Sequence, residues 1–232
     1  MGNADLHMHS TFSDGYHTVS TILTHVEQNT KLDVIAITDH DCIDGALLAR
    51  DLVTKRNSRI QIITGAEIST RDGHLLALNI EHIIPADLSM IETVQAIHEQ
   101  GGLAVVAHPL SRWCPSATMK TLLELKDHAP EGLEVTNGSF AGVGSNKRVR
   151  NVNNFDFGWA ELGGSDAHTV DAIGSSYVEF PGTTAEELIA AIYNRTTAAC
   201  GNLWTKRTFA RYGYRTLRSH IRPSRAAMER VG

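Results

Sequence analysis

An α/β fold built on a mainly parallel sheet is what this sequence predicts, and three observations carry the prediction. Short β-rich apolar runs alternate with helical patterns, the signature of strand–helix units. Nearly every apolar run finishes, on its C-terminal side, in a histidine or an acid. The 232 residues, 42% hydrophobic and 20% charged, suffice for one sizeable core and exclude a disordered chain, a collagen-like repeat or a disulfide-stapled mini-protein. A single α/β barrel is common at this length.

The elements follow in order. A first strand over Ala4 to His9 ends in His7-Met8-His9, and a helical pattern covers Val19 to Gln28. The strand Asp33 to Thr38 runs into Asp39-His40-Asp41, and Ile43 to Lys55 reads as helix. Ile60 to Ile68 carries Gly65-Ala66-Glu67 near its end. In the strand His74 to Ile80 the histidine comes first, so it reaches the others only by an antiparallel or neighbouring path. A helix over Ser89 to Glu99 precedes the strand Leu103 to His108, and a helix over Ala117 to Asp127 precedes Leu133 to Asn137, which contains Glu134. Gly138 to Phe157, rich in Gly, Asn and Arg, is expected to be a long active-site loop. The strand Ala160 to Gly164 runs into Ser165-Asp166-Ala167-His168, and Ser176 to Phe180 is a further strand. The helix Thr184 to Asn194 opens with a threonine cap and acids in its first turn.

In a parallel barrel the C-terminal strand ends converge on one mouth, where active sites sit. His7 and His9 are two apart on a strand, so both side chains point the same way and can ligate one ion. Imidazoles mixed with carboxylates suit Zn, Mn or Fe rather than Ca or Mg. A carboxylate such as Glu67 can bridge two ions about 3.5–4 Å apart, and such ions make hydroxide available to attack a phosphate ester in line. Asp-His pairs also arise as helix caps, and Asp39 or Asp41 can be read that way. A run of five such motifs, all at strand ends, is not explained by capping. His17, His25, His82, His98, His128 and His220 read as ordinary surface or structural histidines among the 12.

The ordered set DLHMHSTFSDG, DVIAITDHD, TGAEIST, VVAHP, GLEVTN and GGSDAH resembles the PHP (polymerase and histidinol phosphatase) superfamily of metal-dependent phosphoesterases, from Ala4 to about Gly201. The resemblance implies a distorted (β/α)7 TIM-like barrel with the metal site at the C-terminal strand ends, holding two or three divalent ions (Zn, Mn or Fe). It implies one ion on His7, His9, Glu67 and Asp166, a second on Glu67, His74 and His108, and a third on Asp14, His40 and His168. A residue of suitable type stands at each of those nine positions, with Asp14 where other branches carry histidine. The TrpH-like branch, which acts on nucleotide 3′,5′-bisphosphates and short RNA, looks closest, but its usual insertion has no room between His108 and Glu134. The expected substrate is a nucleotide bisphosphate, a short oligonucleotide or a small phosphorylated metabolite, with metal-activated hydroxide as nucleophile. Glu67, His168 and Arg112 are the expected catalytic groups, with His168 or a metal-bound water as proton donor to the leaving alkoxide.

Arg112, close behind His108, is a candidate bidentate clamp on the phosphate. Lys147 and Arg148, in the expected loop, and Asn137 are further candidate substrate contacts. No serine has a nucleophile-elbow context. The amidohydrolase superfamily also opens with HxH on a barrel strand, yet Glu67 followed by the Asp166/His168 pair fits it less well. A non-catalytic metal-binding module acting through its tail is the other alternative.

That tail is chemically distinct. Eight of the 21 basic residues and one of the 26 acids lie from Leu203 onward, giving +7 there and −12 in the preceding body. The division expected is residues 1–202 as the barrel and 203–232 as a basic, aromatic, helical tail. Such a tail can pack on the barrel, grip short nucleic acid by phosphate neutralisation and stacking, or touch an anionic membrane. No apolar stretch approaches the roughly 18 residues of a transmembrane segment, no secretory signal is visible, and three scattered cysteines form no disulfide framework. A cytoplasmic protein is expected.

Overall fold

A computed structural model describes residues 1–221; Arg222, Pro223, Arg225, Glu229 and Arg230 of the basic tail lie outside the described residues. Among the described residues there are ten strands and seven α-helices: β1 (Gly2–Asp5), α1 (Val19–Asn29), β2 (Val34–Ile35), α2 (Asp44–Arg56), β3 (Gln61–Ile62), β4 (Gly65–Thr70), β5 (Gly73–Leu78), α3 (Met90–Glu99), β6 (Leu103–Val106) and α4 (Met119–Glu124). Then come β7 (Gly132–Asn137), α5 (Asn146–Val152), β8 (Ala160–Gly164), β9 (Ser176–Phe180), α6 (Ala185–Tyr193), β10 (Ala198–Gly201) and α7 (Lys206–Ile221). Helix starts follow local chemistry. Thr18 accepts from Thr21 N, while Ser89 with Glu92 and Thr184 with Glu187 form complete capping boxes.

The strands form two five-stranded sheets, in the orders β10-β9-β1-β2-β3 and β4-β5-β6-β7-β8. β1, β2 and β3 run parallel, as do β6, β7 and β8. β5 runs antiparallel to both its neighbours, which carries His74, at its start, to the same end as the other strand ends. The sheets share one interior. Ala4 and Val34 from the first pack with Leu76, Leu78, Val105 and Leu162 from the second. Alternate residues Ile68, Leu75, Ala77 and Val106 turn the other way onto α3 and α4. Burial on both faces explains why these strands read as continuous apolar runs.

Ladder pairing stops short of the predicted strand ends, at Asp5 and Ile35 for the first two strands. Beyond that point the chains stay extended and touch through two single parallel bridges, Met8–Ala167 and His40–Glu67, which join the two sheets. Backbone bonds such as Thr38 N→Met8 O (2.8 Å) and His9 N→Ala167 O (2.9 Å) keep these ends together where they carry the polar side chains. β10 escapes the sequence reading because Ala198–Gly201 has no β-rich apolar pattern; it exists through pairing with β9.

The expected loop over 138–157 is largely helical: a 3₁₀ turn at Phe140–Gly142, α5, and a π turn at Asn153–Phe157. Val149 is buried in the core, and the Asn153 side chain both donates to Trp159 O and accepts from Trp159 N, which pins the segment to β8. Among the described residues no helix is long and apolar enough to cross a membrane.

Candidate metal centre and its cleft

All nine predicted ligands meet at one end of the sheets. Glu67, 1% exposed on β4, is the hub: its Oε2 lies 3.2 Å from His7 Nε2 and 3.3 Å from both His9 Nε2 and His40 Nδ1. Its Oε1 lies 2.9 Å from both His74 Nδ1 and His108 Nε2. Asp166 Oδ1 sits 3.3 Å from His9 Nε2, and Asp14 Oδ2 sits 3.0 Å from His168 Nε2. The donor atoms fall into overlapping groups with metal-site spacing: His9, Asp14, His40 and His168; His7, His9 and Asp166; His7, Glu67 and His108; His40, Glu67 and His74.

These residues fit divalent metal ions. Both nitrogens of His9 and Nδ1 of His74 are buried with no hydrogen-bond partner. An orphaned buried ring nitrogen is costly unless something else occupies its lone pair. Its close carboxylates are misaligned for sharing a proton, which is how lone pairs converging on a common ion are placed. Elsewhere the outer nitrogen of a ring is anchored, leaving the inner one free to ligate. His7 Nδ1 donates to Glu134 Oε1 (3.0 Å), His168 Nδ1 donates to Asp166 O (3.0 Å), and His108 Nδ1 lies beside Ser116 Oγ and Cys114 Sγ. Such partners fix tautomer and orientation.

Charge is balanced within the cluster. Burial opposes ionisation of Glu67 and Asp166, but the surrounding imidazoles, His7 foremost, hold both well below the usual carboxylate range. Burial likewise disfavours a charged His168, yet Asp14 and Asp166 outweigh it and push its pKa up to about 9. Without metal, then, the carboxylates retain charge and protons supply the compensating positive charge.

A ring of further residues holds the ligands. Buried Asp39 accepts from Ser10 N and Ser10 Oγ (both 2.7 Å) and from Ser13 Oγ (2.6 Å), so it fastens the turn that presents Asp14 rather than capping a helix. Asp5 accepts from backbone N–H groups of His7, Ser165 and Gly174, tying the first and eighth strand ends together. Burial raises its carboxyl to about 6, with those bonds opposing. Glu134 accepts from His7, from His108 N (2.7 Å) and from Asn137 Nδ2 (2.9 Å). Glu134 and Asn137 are three apart and would face opposite sides of a regular strand; a bulge between Glu134 and Thr136 turns both to the same side. His108 and Asp166 themselves have φ of 27° and 51°, unusual for non-glycine residues and consistent with backbone strain kept at a functional site.

The cluster opens into a cleft of about 350 Å³, whose walls include Trp113, Cys114, Phe140, Trp204 and Tyr212 as well as the ligands. Trp204 is 4% exposed, and its indole N–H donates to Ser165 O (2.7 Å), so the start of the basic tail is built into the wall. The predicted anion contacts are elsewhere. Arg112, Lys147 and Arg148 are exposed and line no part of the cleft. The turn after His108 sets Trp113, itself largely exposed, and Cys114 along the cleft and leaves Arg112 off its lining, and α5 buries Val149 while Lys147 and Arg148 are exposed. Asn137 is fully buried, and its amide donates to Glu134 and Asp166 (2.9 and 3.3 Å).

Glu134, Asp39, Ser139 and the aromatic walls were not among the predicted site residues. GLEVTN and TDHD offered a signal for the acids; nothing local marks Trp113, Trp204 or Tyr212.

Residues 5–143 match the PHP domain family, and residues 156–197 match the PHP-associated family. An uncharacterized protein of Methanocaldococcus jannaschii is 34% identical over 122 residues, covering 48% of this chain and 70% of that protein. A 3′,5′-nucleoside bisphosphate phosphatase of Chromobacterium violaceum is 28% identical over 134 residues, covering 51% of this chain and 46% of that enzyme. The curated relatives with a named activity are phosphoester hydrolases, and this chain spans less than half their length. Among solved structures, a two-domain protein of Bacteroides vulgatus containing a predicted PHP-like metal-dependent phosphoesterase superposes with a TM-score of 0.70 at 20% identity, covering 86% of this chain and 64% of that one.

Proposed function

The chain belongs to the PHP domain family, and from that membership and the geometry of the cleft we propose that it is a phosphoesterase dependent on two or three divalent metal ions. The single observation that carries this reading is Glu67, within 3.3 Å of five imidazoles at the floor of an open cleft, with buried ring nitrogens otherwise unpartnered. The residues that would hold the ions are His7, His9, Glu67 and Asp166; Glu67, His74 and His108; and Asp14, His40 and His168. Zn, Mn or Fe suits this shell, and when bound such ions neutralise ester charge and supply a nucleophilic hydroxide at neutral pH. The bridges at Met8–Ala167 and His40–Glu67 support reading the two sheets as one distorted seven-stranded barrel around this site.

The protein's own part is placement. Glu134 holds the His7 ring with its Nδ1 protonated, and through His108 N it also fixes the neighbouring strand end. Ser139 and Asn137 donate to Asp166 Oδ2, which leaves Oδ1 for ligation. His168 Nδ1 donates to Asp166 O, which holds the ring with Nε2 toward Asp14 and the candidate ion site. The cleft volume suits a small phosphorylated metabolite or a nucleotide, with Trp113 and Phe140 as apolar walls. Three free cysteines suit a reducing compartment such as the cytoplasm.

The test is turnover by Mn²⁺-loaded protein on a panel of p-nitrophenyl phosphate, its bis ester, nucleoside 3′,5′-bisphosphates, short oligonucleotides and sugar phosphates. Release of phosphate or nitrophenol that stops on chelation supports the proposal. No turnover on any member, with metal shown to be bound, refutes it.

A further inference from the structure

A second hollow, about 640 Å³, lies between α7 and the turn after Asp14, lined by Tyr16, His17, Arg211, Tyr214, Arg215 and Arg218. The arginines recur at intervals of four and three along α7, which puts them on one face. Arg215 Nη1 donates to His17 Nε2 (2.9 Å), and its guanidinium lies 5.8 Å from the centre of the Tyr16 ring. Arg218 lies 5.6 Å from the Tyr214 ring. Arg211 alone has an acid nearby, at 3.5 Å from Asp171 Oδ2, an exposed pairing worth little. Among the described residues no carboxylate pairs with Arg215 or Arg218.

This hollow adjoins the metal cleft. Tyr212 forms the cleft wall, Tyr16 forms the groove wall, and their rings meet edge to face at 6.1 Å. The turn that presents Asp14 to the metal cluster also presents Tyr16 and His17 to the groove. At 1.5 Å rise per helical residue, Arg215 and Arg218 lie about 4.5 and 9 Å beyond Tyr212 along α7, a cationic track leading away from the cleft.

We propose that the α7 groove holds the backbone phosphates of a single-stranded oligonucleotide whose terminal phosphate ester occupies the metal cleft. This rests on the phosphoesterase reading of the cleft. A mononucleotide fits within the cleft and leaves the arginines unused. Guanidinium groups suit phosphate, and tyrosine faces beside them suit bases without regard to sequence. The body, at −12, repels a polyanion in general, so a strand needs a local cationic track to approach the site. A lipid surface fits less well, because Phe209 and Tyr212 of α7 are packed on the core, which leaves Tyr214 and Leu217 as the exposed large apolar side chains among its described residues, too few for an apolar face.

The measurement is anisotropy of a fluorescein-labelled single-stranded pentanucleotide with metal-free protein in chelator, titrated across salt. Each single-strand phosphate contact contributes about 0.7 to the slope of log affinity against log salt. The triple variant R211Q/R215Q/R218Q is therefore expected to lose about 2 from the slope. Raising salt from 50 to 200 mM then weakens wild type by about 20-fold more than the variant. R218Q alone is expected to lose about a third of that effect, which keeps the test usable if circular dichroism shows the triple variant misfolded. Arg→Lys at all three positions should keep the slope. A glutamine variant that folds and keeps the wild-type slope overturns the proposal, as does loss of binding to anionic vesicles with oligonucleotide binding intact. Failure of the phosphoesterase reading would appear separately, as absence of turnover by wild-type protein loaded with Mn²⁺.

Discussion

Replacing Glu67 by glutamine removes one negative charge and keeps the shape. Five imidazole nitrogens lie 2.9–3.3 Å from the two carboxylate oxygens, and the side chain is 1% exposed, so water cannot replace what is lost. A unit charge acting at about 4 Å in an effective dielectric of about 20 is worth about 4 kcal/mol. At 1.36 kcal/mol per decade that is about a thousandfold in affinity for the ions it contacts. The expected result is a loss of at least one bound ion per chain and loss of turnover. Metal content after dialysis against a competing chelator, read by mass spectrometry, would establish the first, and p-nitrophenyl phosphate hydrolysis the second. Circular dichroism checks the fold. A Glu67→Gln protein with wild-type metal content and wild-type turnover refutes the bridging role, whatever the other ligands do.

Glu134→Gln leaves a neutral acceptor where His7, His108 N and Asn137 now donate to a carboxylate; metal affinity should fall about 10- to 100-fold in chelator competition, with the fold retained. At Gly164 a Cβ would collide with the Glu134 carboxylate and the His7 Cβ, so Gly164→Ala should lower both melting temperature and metal affinity, measured in the same preparation. A pH series gives a signed test of His168. Its pKa of about 9 means that ligation must displace a proton, so apparent metal affinity should rise with pH up to about 9, about tenfold per unit for one proton. Because that folded value exceeds the unfolded one near 6.5, metal-free protein carries the associated stability in full below about 6.5 and loses it as pH rises toward 9. Melting of metal-free protein should therefore drop between pH 7 and 9; a flat or rising profile refutes this account of His168.

Much of the site was legible in one dimension because ligands need defined residue types at strand ends, and a strand end announces itself by an apolar run meeting a polar residue. His7 and His9 share a side because the strand repeat is two, and that holds in the structure. His74 was readable only as a residue needing a reversed strand, which β5 supplies through its antiparallel pairing. Residues that act through position rather than type were not readable. Arg112 looks like an anion clamp by chemistry and proximity, yet after His108 it is Trp113, not Arg112, that borders the cleft. Glu134 and Asn137 cooperate only because a bulge breaks the two-residue repeat between them. Trp204 and Tyr212 belong to a tail that composition separates from the body, although they wall the cleft.

The sequence by itself determined the alternation of elements, the nine candidate ligand types and the charge contrast between body and tail, since each depends on side-chain chemistry or a short-range repeat. Tertiary structure decided which polar residues face the cleft, which stand behind the ligands, and where α7 sets its arginines beside it. Those choices depend on turns, a bulge and the packing of segments up to 200 positions apart, as in the Tyr16–Thr216 hydrogen bond, and no local pattern encodes them.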